Sequence, residues 1–382
     1  MADHSQGKTA NSGLPPLYGR WTAPLLGGAI PPETEATCQD CAMCATAGAP
    51  AHAAGSYFSP HTKCCTYLPR LPNFTVGQIL ADKDPANAAG RATLDARLQR
   101  GEMVRPLGLG VPPGYAARYE HASMDFGTSP ALLCPHFLAD GRCGIWLYRN
   151  GVCTTWFCKH VRGAVGLRFW HALEGLLSSV EQMLACWCLL DQDFGPTAFD
   201  QLSPATANRQ RPPYDTNLAG TLEPAAYRSL WGKWAGLERE FYERCAQRVE
   251  SLDWADILRI GGPDITARAH IARSAYDALT DCRLPRALTV GQFRVIGIDE
   301  SGTQVEGYHG SDPLRLSSDL MGVLPLFNGR PTSETLRSLA DDRGIGVAPE
   351  LIRKLTDFEI LVPVEGKNEA TRTAHTRPGL RP

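Results

Sequence analysis

Residues 166–192 read GLRFWHALEGLLSSVEQMLACWCLLDQ. Phe169, Leu173, Leu176, Val180, Met183, Leu184 and Trp187 recur at three- and four-residue intervals, which places them on one face of an α-helix. A face this apolar has to be covered, so the stretch predicts a helix packed against others and a mainly α fold. The covering partner is visible further on. Leu222, Tyr227, Leu230, Trp234, Leu237, Phe241, Cys245, Val249 and Leu252 form a second stripe, predicting a helix over about 222–252. A third helix is expected around Ile265–Leu279, and the Pro- and Asn-rich residues 196–220 read as a loop. Residues 164–285 are therefore expected to form a helical region, its two stripes packing on each other and on the segment that precedes them.

That preceding segment, 37–163, has a different texture. It is rich in Gly and Pro, has few long periodic runs, and carries nine of the thirteen cysteines. Loops and short helices pinned by something other than a large apolar core suit such a composition. Residues 1–36, rich in Gly, Pro, Ala and Thr, read as a poorly ordered or extended arm. Beyond the helices, FRVIGIDE and TQVEGYHG predict two β-strands around a Ser301-Gly302 turn. Short helical patterns follow at 317–328, 332–342 and 348–357, and ILVPV predicts a closing strand. Residues 286–366 thus read as a small α+β module and 367–382 as a tail.

The cysteines fall into three groups. Cys38, Cys41 and Cys44 form a Cys-x2-Cys-x2-Cys run, Cys64 and Cys65 are adjacent, and Cys134, Cys143, Cys153 and Cys158 follow at spacings of 9, 10 and 5. Thiols three apart on a turning loop can converge on one centre, where backbone N–H groups can hydrogen-bond the sulfurs. A fourth thiol can return from Cys64 or Cys65 after a loop of about twenty residues, because closure entropy grows slowly with length. In a reducing compartment clustered cysteines serve as metal ligands or redox groups more often than as disulfides. A three-cysteine run with a remote fourth is closer to an iron–sulfur pattern than to the paired knuckles of a structural zinc site. The metal ligands expected are Cys38, Cys41, Cys44, Cys64, Cys65, Cys134, Cys143, Cys153 and Cys158. They would hold one or two 4Fe-4S clusters, with zinc as the alternative. Phe137, Trp146, Tyr148, Trp156 and Phe157 would wall the centres, Arg149 could neutralise thiolate charge, and His136 and His160 could act as alternative ligands. Cys186, Cys188, Cys245 and Cys282 read as buried free cysteines.

Two stretches resemble known families. The Cys-x2-Cys-x2-Cys run, the vicinal pair, Cys134-Pro-His-Phe-Leu, Gly141-Arg-Cys143-Gly-Ile-Trp146 and Arg149-Asn-Gly-Val-Cys153 resemble the YkgJ-like, or CxxCxxCC, putative zinc- or iron-chelating proteins. The resemblance spans about 37–163 and implies metal binding. Two departures stand out: Ala45 where the family's pair would be completed, and Asn150 where the family has proline after the arginine. In the module, LFNGRPTSETL and LIRKLTDFEILVP resemble the small winged-helix-like modules of the PqqD type. That likeness implies a peptide or protein partner gripped at a sheet edge.

Charge and motifs exclude several classes. The net charge of -2 arises from 38 basic and 40 acidic residues, with no basic stripe for nucleic acid and no block for a membrane surface. No secretory signal is expected from the first residues, nor a membrane span from any uninterrupted apolar run. No P-loop, dinucleotide fingerprint, nucleophile elbow or HExxH is present, so no catalytic residue is named. The expectation is a cytoplasmic metalloprotein for electron transfer or service to a partner enzyme. The alternatives are an iron–sulfur enzyme acting on a peptide held by the module, or a zinc-stabilised interaction protein.

Overall fold

The computed structural model describes residues 13–36, 38, 41–44, 58–121, 125–194 and 217–364. It is mixed α+β with a helical majority, and divides into two units: residues 1–161 with 165–281, and residues 162–164 with 282–382.

In the first unit the expected helix of the opening stretch spans Gly163–Asp191. Its stripe is the spine of the core. Phe169, Leu173, Val180 and Leu184 are fully buried, and Leu176 and Leu177 nearly so. By length and composition this helix is apolar enough to cross a membrane although its apolar run is interrupted, but here the apolar face is turned to protein. The second stripe does not form one helix. It breaks into helices Pro224–Trp231 and Glu238–Glu250, joined by a 3-10 turn at Gly232–Trp234, because Gly232 and Gly236 take positive φ of 50° and 82°. Most of the stripe survives the break: Leu230, Trp234, Phe241, Cys245 and Val249 are buried, but Leu237, just before the second helix, is exposed. The third helix is longer than its periodicity suggested. It runs Trp254–Thr280, starts on an Asp253/Asp256 capping box and kinks at Gly262, before Pro263.

The remaining elements lie nearer the N-terminus, among them the short helices expected over residues 37–163, whose positions the sequence did not mark. We number them α1 (Pro16–Leu26), β1 (Leu71–Pro72), α2 (Asn73–Ala81), α3 (Ala88–Gln99), β2 (Val104–Arg105), β3 (Gly108–Leu109), α4 (Pro113–His121) and α5 (Gly151–Thr155). The helical region that follows comprises α6 (Gly163–Asp191), α7 (Pro224–Trp231), α8 (Glu238–Glu250) and α9 (Trp254–Thr280). Residues 16–26, read from sequence as part of an arm, form α1 and bury Leu17, Tyr18, Trp21 and Leu26. Burial of these four side chains, two of them large aromatic rings, offsets much of the entropy that ordering the helix costs. Short β1, β3 and β2 form an antiparallel sheet in that order. The middle of α2 lies directly on α8: a Cβ at Gly77 would stand 1.8 Å from the Tyr242 carbonyl oxygen. The expected loop falls largely on residues 195–216, which lie outside the described residues, as do residues 1–12 and the tail.

The second unit has β4 (Ala287–Val290), β5 (Arg294–Asp299), β6 (Gly302–Glu306), β7 (Leu314–Leu316), α10 (Ser318–Val323), β8 (Asn328–Pro331), α11 (Thr332–Arg343), α12 (Pro349–Asp357) and β9 (Leu361–Pro363). It is richer in strands than the sequence reading. The expected helix 317–328 stops at Val323, passes through a 3-10 turn at Leu324–Leu326 and becomes β8. Two antiparallel sheets result, β8-β4-β9 and β5-β6-β7. The Ser301 turn forms as expected, with the Ser301 N–H donating to Asp299 at 2.8 Å. Leu288, Val305, Phe327, Leu339, Ile352, Leu355, Phe358 and Leu361 make the core.

Candidate metal centre

The cysteine segments are tied together by backbone and by one lysine. Cys44 N–H donates to the Cys41 carbonyl at 2.9 Å, closing the turn, and Phe58 N–H donates to Met43 at 2.7 Å. A second turn, Ser59–Cys65, is anchored by Ser59 N–H and the Thr62 hydroxyl, which both donate to the Gly127 carbonyl, at 2.8 and 2.6 Å. Lys63 sits in this turn with φ of 48°, a left-handed backbone unusual outside glycine. Its ammonium donates to the Cys38 carbonyl at 2.7 Å and to the Gly141 carbonyl at 3.1 Å. One side chain thereby joins the segments of Cys38, of Cys64-Cys65 and of Cys143. The third segment is a tight hairpin. Leu138 N–H donates to Arg142 at 2.8 Å, Gly144 N–H to His136 at 2.7 Å, and Cys134 N–H reaches back to the Cys65 carbonyl at 2.8 Å.

Asn150 caps the helix that carries Cys153. Its side chain accepts from Cys153 N–H at 3.0 Å, at the start of α5. Below α5, Glu181 of α6 accepts from Gly151 N–H at 2.6 Å and from the Tyr18 hydroxyl. Burial raises the Glu181 carboxyl to about 7, against the opposing pull of those two donors.

These segments bring the expected ligands into one electrostatic neighbourhood. Cys64 is its hub, since its ionisation would raise the thiols of Cys38, Cys44, Cys134, Cys143, Cys153 and Cys158. Burial is the largest cause at each of those six; next comes like charge from a neighbouring sulfur at Cys38, Cys153 and Cys158, a hydrogen bond with Cys41 at Cys44, and an opposing backbone hydrogen bond at Cys134 and Cys143. Cys44, Cys134 and Cys158 are each pushed to about 12. Cys64 itself is raised first by a hydrogen bond with Cys65. These raised thiols therefore hold their protons at neutral pH until something displaces them. Among the described residues, no three His, Cys, Asp or Glu side chains are set around a common point as a ready metal-binding group. The described residues supply thiol chemistry suited to a metal but no assembled site.

The other four cysteines stand apart. Cys188 and Cys245 are buried as expected, Cys186 is half-buried, and Cys282 is exposed, which corrects its reading as a core residue. Two of the expected wall aromatics are also exposed, Trp146 and Trp156. Trp146 instead serves as a platform, with the Arg149 guanidinium 3.4 Å from its ring centroid. Phe157 packs on Trp170 at 4.5 Å, and the Tyr148 hydroxyl donates to Asp82 at 2.9 Å.

Arg149 is buried, not a solvated surface arginine, and it donates to the carbonyls of Trp146, Cys153 and Gly13 at 3.2, 3.3 and 2.9 Å. It interacts electrostatically with Cys38, Cys143, Cys153 and Cys64. A second buried guanidinium, Arg97 on α3, was not singled out from sequence. It donates to the Gly110 carbonyl at 2.6 Å, interacts with Cys134, and has its Nη1 without a hydrogen-bond partner. Neither arginine makes an ion pair among the described residues. Gly90, Thr93 and Arg97 lie on the face of α3 that meets the hairpin, where a Cβ at Gly90 would fall 1.7 Å from the Gly144 carbonyl oxygen. The helical spacing 90, 93, 97 could have signalled that face. The buried arginine in it had no sequence signal, because an arginine on a helix is ordinarily solvated. Comparison with protein-family models, with curated proteins and with solved structures finds no match for this chain.

Proposed function

We propose that the cysteine neighbourhood is a metal–thiolate centre of the iron–sulfur kind, with one or two 4Fe-4S clusters, used for electron transfer or to serve a partner enzyme. The observation that carries this reading is the burial of Arg149 among the thiols without a carboxylate. A buried charge lacking a counter-charge costs several kcal/mol, on the order of ~3–5. Neutral thiols do not offset it, whereas thiolates bound to metal carry the negative charge that would. Arg97, close to Cys134, repeats the arrangement. When bound, the centre would supply one-electron redox chemistry; the chain's own residues hold the sulfurs, through Lys63, Asn150 and the hairpin, and compensate their charge through the arginines. Because the thiols are protonated when free, loading releases protons and is favoured by rising pH.

The near-neutral charge supports a protein or peptide partner over nucleic acid or a membrane surface. The second unit supports that partner as a PqqD-like, winged-helix-like module in our reading, because β5 lies at the edge of its sheet and is largely exposed along its length. The test is anaerobic purification followed by iron and acid-labile sulfide analysis and an absorption spectrum. The expected protein is brown, bleaches on reduction and contains both elements. Cys41→Ser and Cys143→Ser should each remove much of both. A colourless protein with stoichiometric zinc and no sulfide would replace this reading with that of a zinc-stabilised interaction protein.

A further inference from the structure

The run Cys41-Ala-Met-Cys44 folds as a closed turn. The Cys44 N–H donates to the Cys41 carbonyl at 2.9 Å, the bond that joins the first and fourth residues of a β-turn. The turn is pinned from outside: Phe58 N–H donates to the Met43 carbonyl at 2.7 Å, and the Met43 side chain is buried. A β-turn holds its outer Cα atoms less than about 7 Å apart. A disulfide spans Cα atoms about 4.4–6.8 Å apart, so the backbone already provides the separation that the bond needs. The side chains lie on the same side of the turn, because the Cys44 and Cys41 thiols share a hydrogen bond. Both cysteines are half-buried and Ala42 is exposed, so a small reagent reaches the pair from solvent.

Two other cysteine pairs meet one of these conditions and fail another. Cys64 and Cys65 also share a hydrogen bond, but adjacent Cα atoms stand about 3.8 Å apart, short of the disulfide range. Cys188 of α6 and Cys245 of α8 share one too, with the Cys188 sulfur 4.0 Å from the Cys245 carbonyl oxygen. They are 1 % and 0 % exposed, so an oxidant does not reach them while the fold holds.

We propose that Cys41 and Cys44 form a reversible dithiol–disulfide pair, oxidised by hydrogen peroxide and reduced by an external dithiol. One sulfur attacks the peroxide O–O bond, becomes a sulfenic acid and releases a water. The other attacks that sulfur, forming the S–S bond and releasing the second water. The two thiols have then lost two hydrogens and two electrons, and the peroxide has taken them up as two waters. Reduction runs by thiol–disulfide exchange: the external dithiol returns both sulfurs to thiols and leaves as a disulfide. The hydrogen bonds that close and pin the turn are backbone bonds, so they serve both states. The inference needs no metal. It draws on two thiols of the proposed centre, and the uses exclude each other, because a disulfide sulfur is no longer a thiolate ligand.

The test titrates the full-length protein with hydrogen peroxide, as purified anaerobically and again after treatment with a chelator. Free thiols are alkylated, oxidised ones are reduced and alkylated with a heavier reagent, and fragment mass spectra tell the positions apart. In the chelated protein Cys41 and Cys44 should be lost together, at least about tenfold faster than any other pair and than the same pair in urea, and dithiothreitol should restore both. In Cys44→Ser, Cys41 should remain unlinked; a link from Cys41 to another cysteine at the wild-type rate overturns the pairing. A first link elsewhere, a rate no faster than in urea, or a product that dithiothreitol does not reverse overturns it as well. A link that forms only after chelation supports both this inference and the metal–thiolate reading. Equal rates with and without chelation remove these two cysteines from the proposed centre and leave the inference standing.

Discussion

Replacing Gly77 by alanine sets a methyl carbon 1.8 Å from the Tyr242 carbonyl oxygen, 2.4 Å from its carbonyl carbon and 2.9 Å from the Ala246 methyl. Two of these atoms are backbone of α8 and cannot swing aside. To restore ordinary contact the helices must part by roughly 1.5 Å, and a gap of that size forfeits more than half of the dispersion across the seam. The residues that lose it include Phe74, Val76, Ile79, Phe241, Cys245 and Val249, all within 1 % of full burial. Overpacking costs about 1–3 kcal/mol, and this case belongs at the upper end. Alanine returns about 1 kcal/mol of helix propensity. The net expectation is a loss of about 2 kcal/mol, roughly a thirtyfold change in the folded-to-unfolded ratio. Gly19→Ala in α1 is the control, because nothing lies within 4 Å of the added carbon; it should stabilise by about 0.5–1 kcal/mol. Urea unfolding followed by tryptophan fluorescence measures both, since all eight tryptophans lie in the first unit. A Gly77→Ala midpoint equal to the wild type's would refute the packing argument, as would a Gly19→Ala variant equally damaged.

Other outcomes follow from the same structure. Glu181 is raised to about 7 by burial, above the unfolded value near ~4.3, so the folded state holds an extra proton between those values. Its contribution is fully present below the unfolded value and is lost as pH rises through 7, by up to about 3 kcal/mol; Glu181→Gln should flatten that slope, and an unaltered slope in urea titrations at several pH values would count against it. Arg149→Met should lower metal retention about tenfold or more in chelator competition; full retention would remove the charge-compensation argument. Leu355→Ala, at a site 1 % exposed, should cost the second unit about 2–5 kcal/mol, seen as faster amide exchange in β4 and β9; unchanged exchange would mean that Leu355 is not core.

Periodicity alone marked α6 and the stripe of α7 and α8, because a long helix repeats its apolar spacing enough times to stand out. The same signal did not reveal α2 or α3, which are short and whose burial depends on partners far along the chain: Tyr242 for Gly77, Gly144 for Gly90. The aromatic pair of α1 was legible only as composition. In the second unit the turn at Ser301 was local chemistry and appeared as expected, whereas β8 exists because β4 supplies its hydrogen bonds from about forty residues away.

The sequence by itself determined which atoms could bind metal. Cysteine is a strong metal ligand, and its clustering in a loop-rich stretch is visible without coordinates. Tertiary structure decided what surrounds those atoms. It placed the thiols of separate segments where they act on one another electrostatically, buried Arg149 and Arg97, and buried His136 with Nδ1 at the Thr93 hydroxyl and Nε2 without a partner among the described residues. Each of these depends on contacts between residues distant in the chain, and linear spacing carries no record of which side chains meet, how deeply they are buried, or which nitrogen is left free.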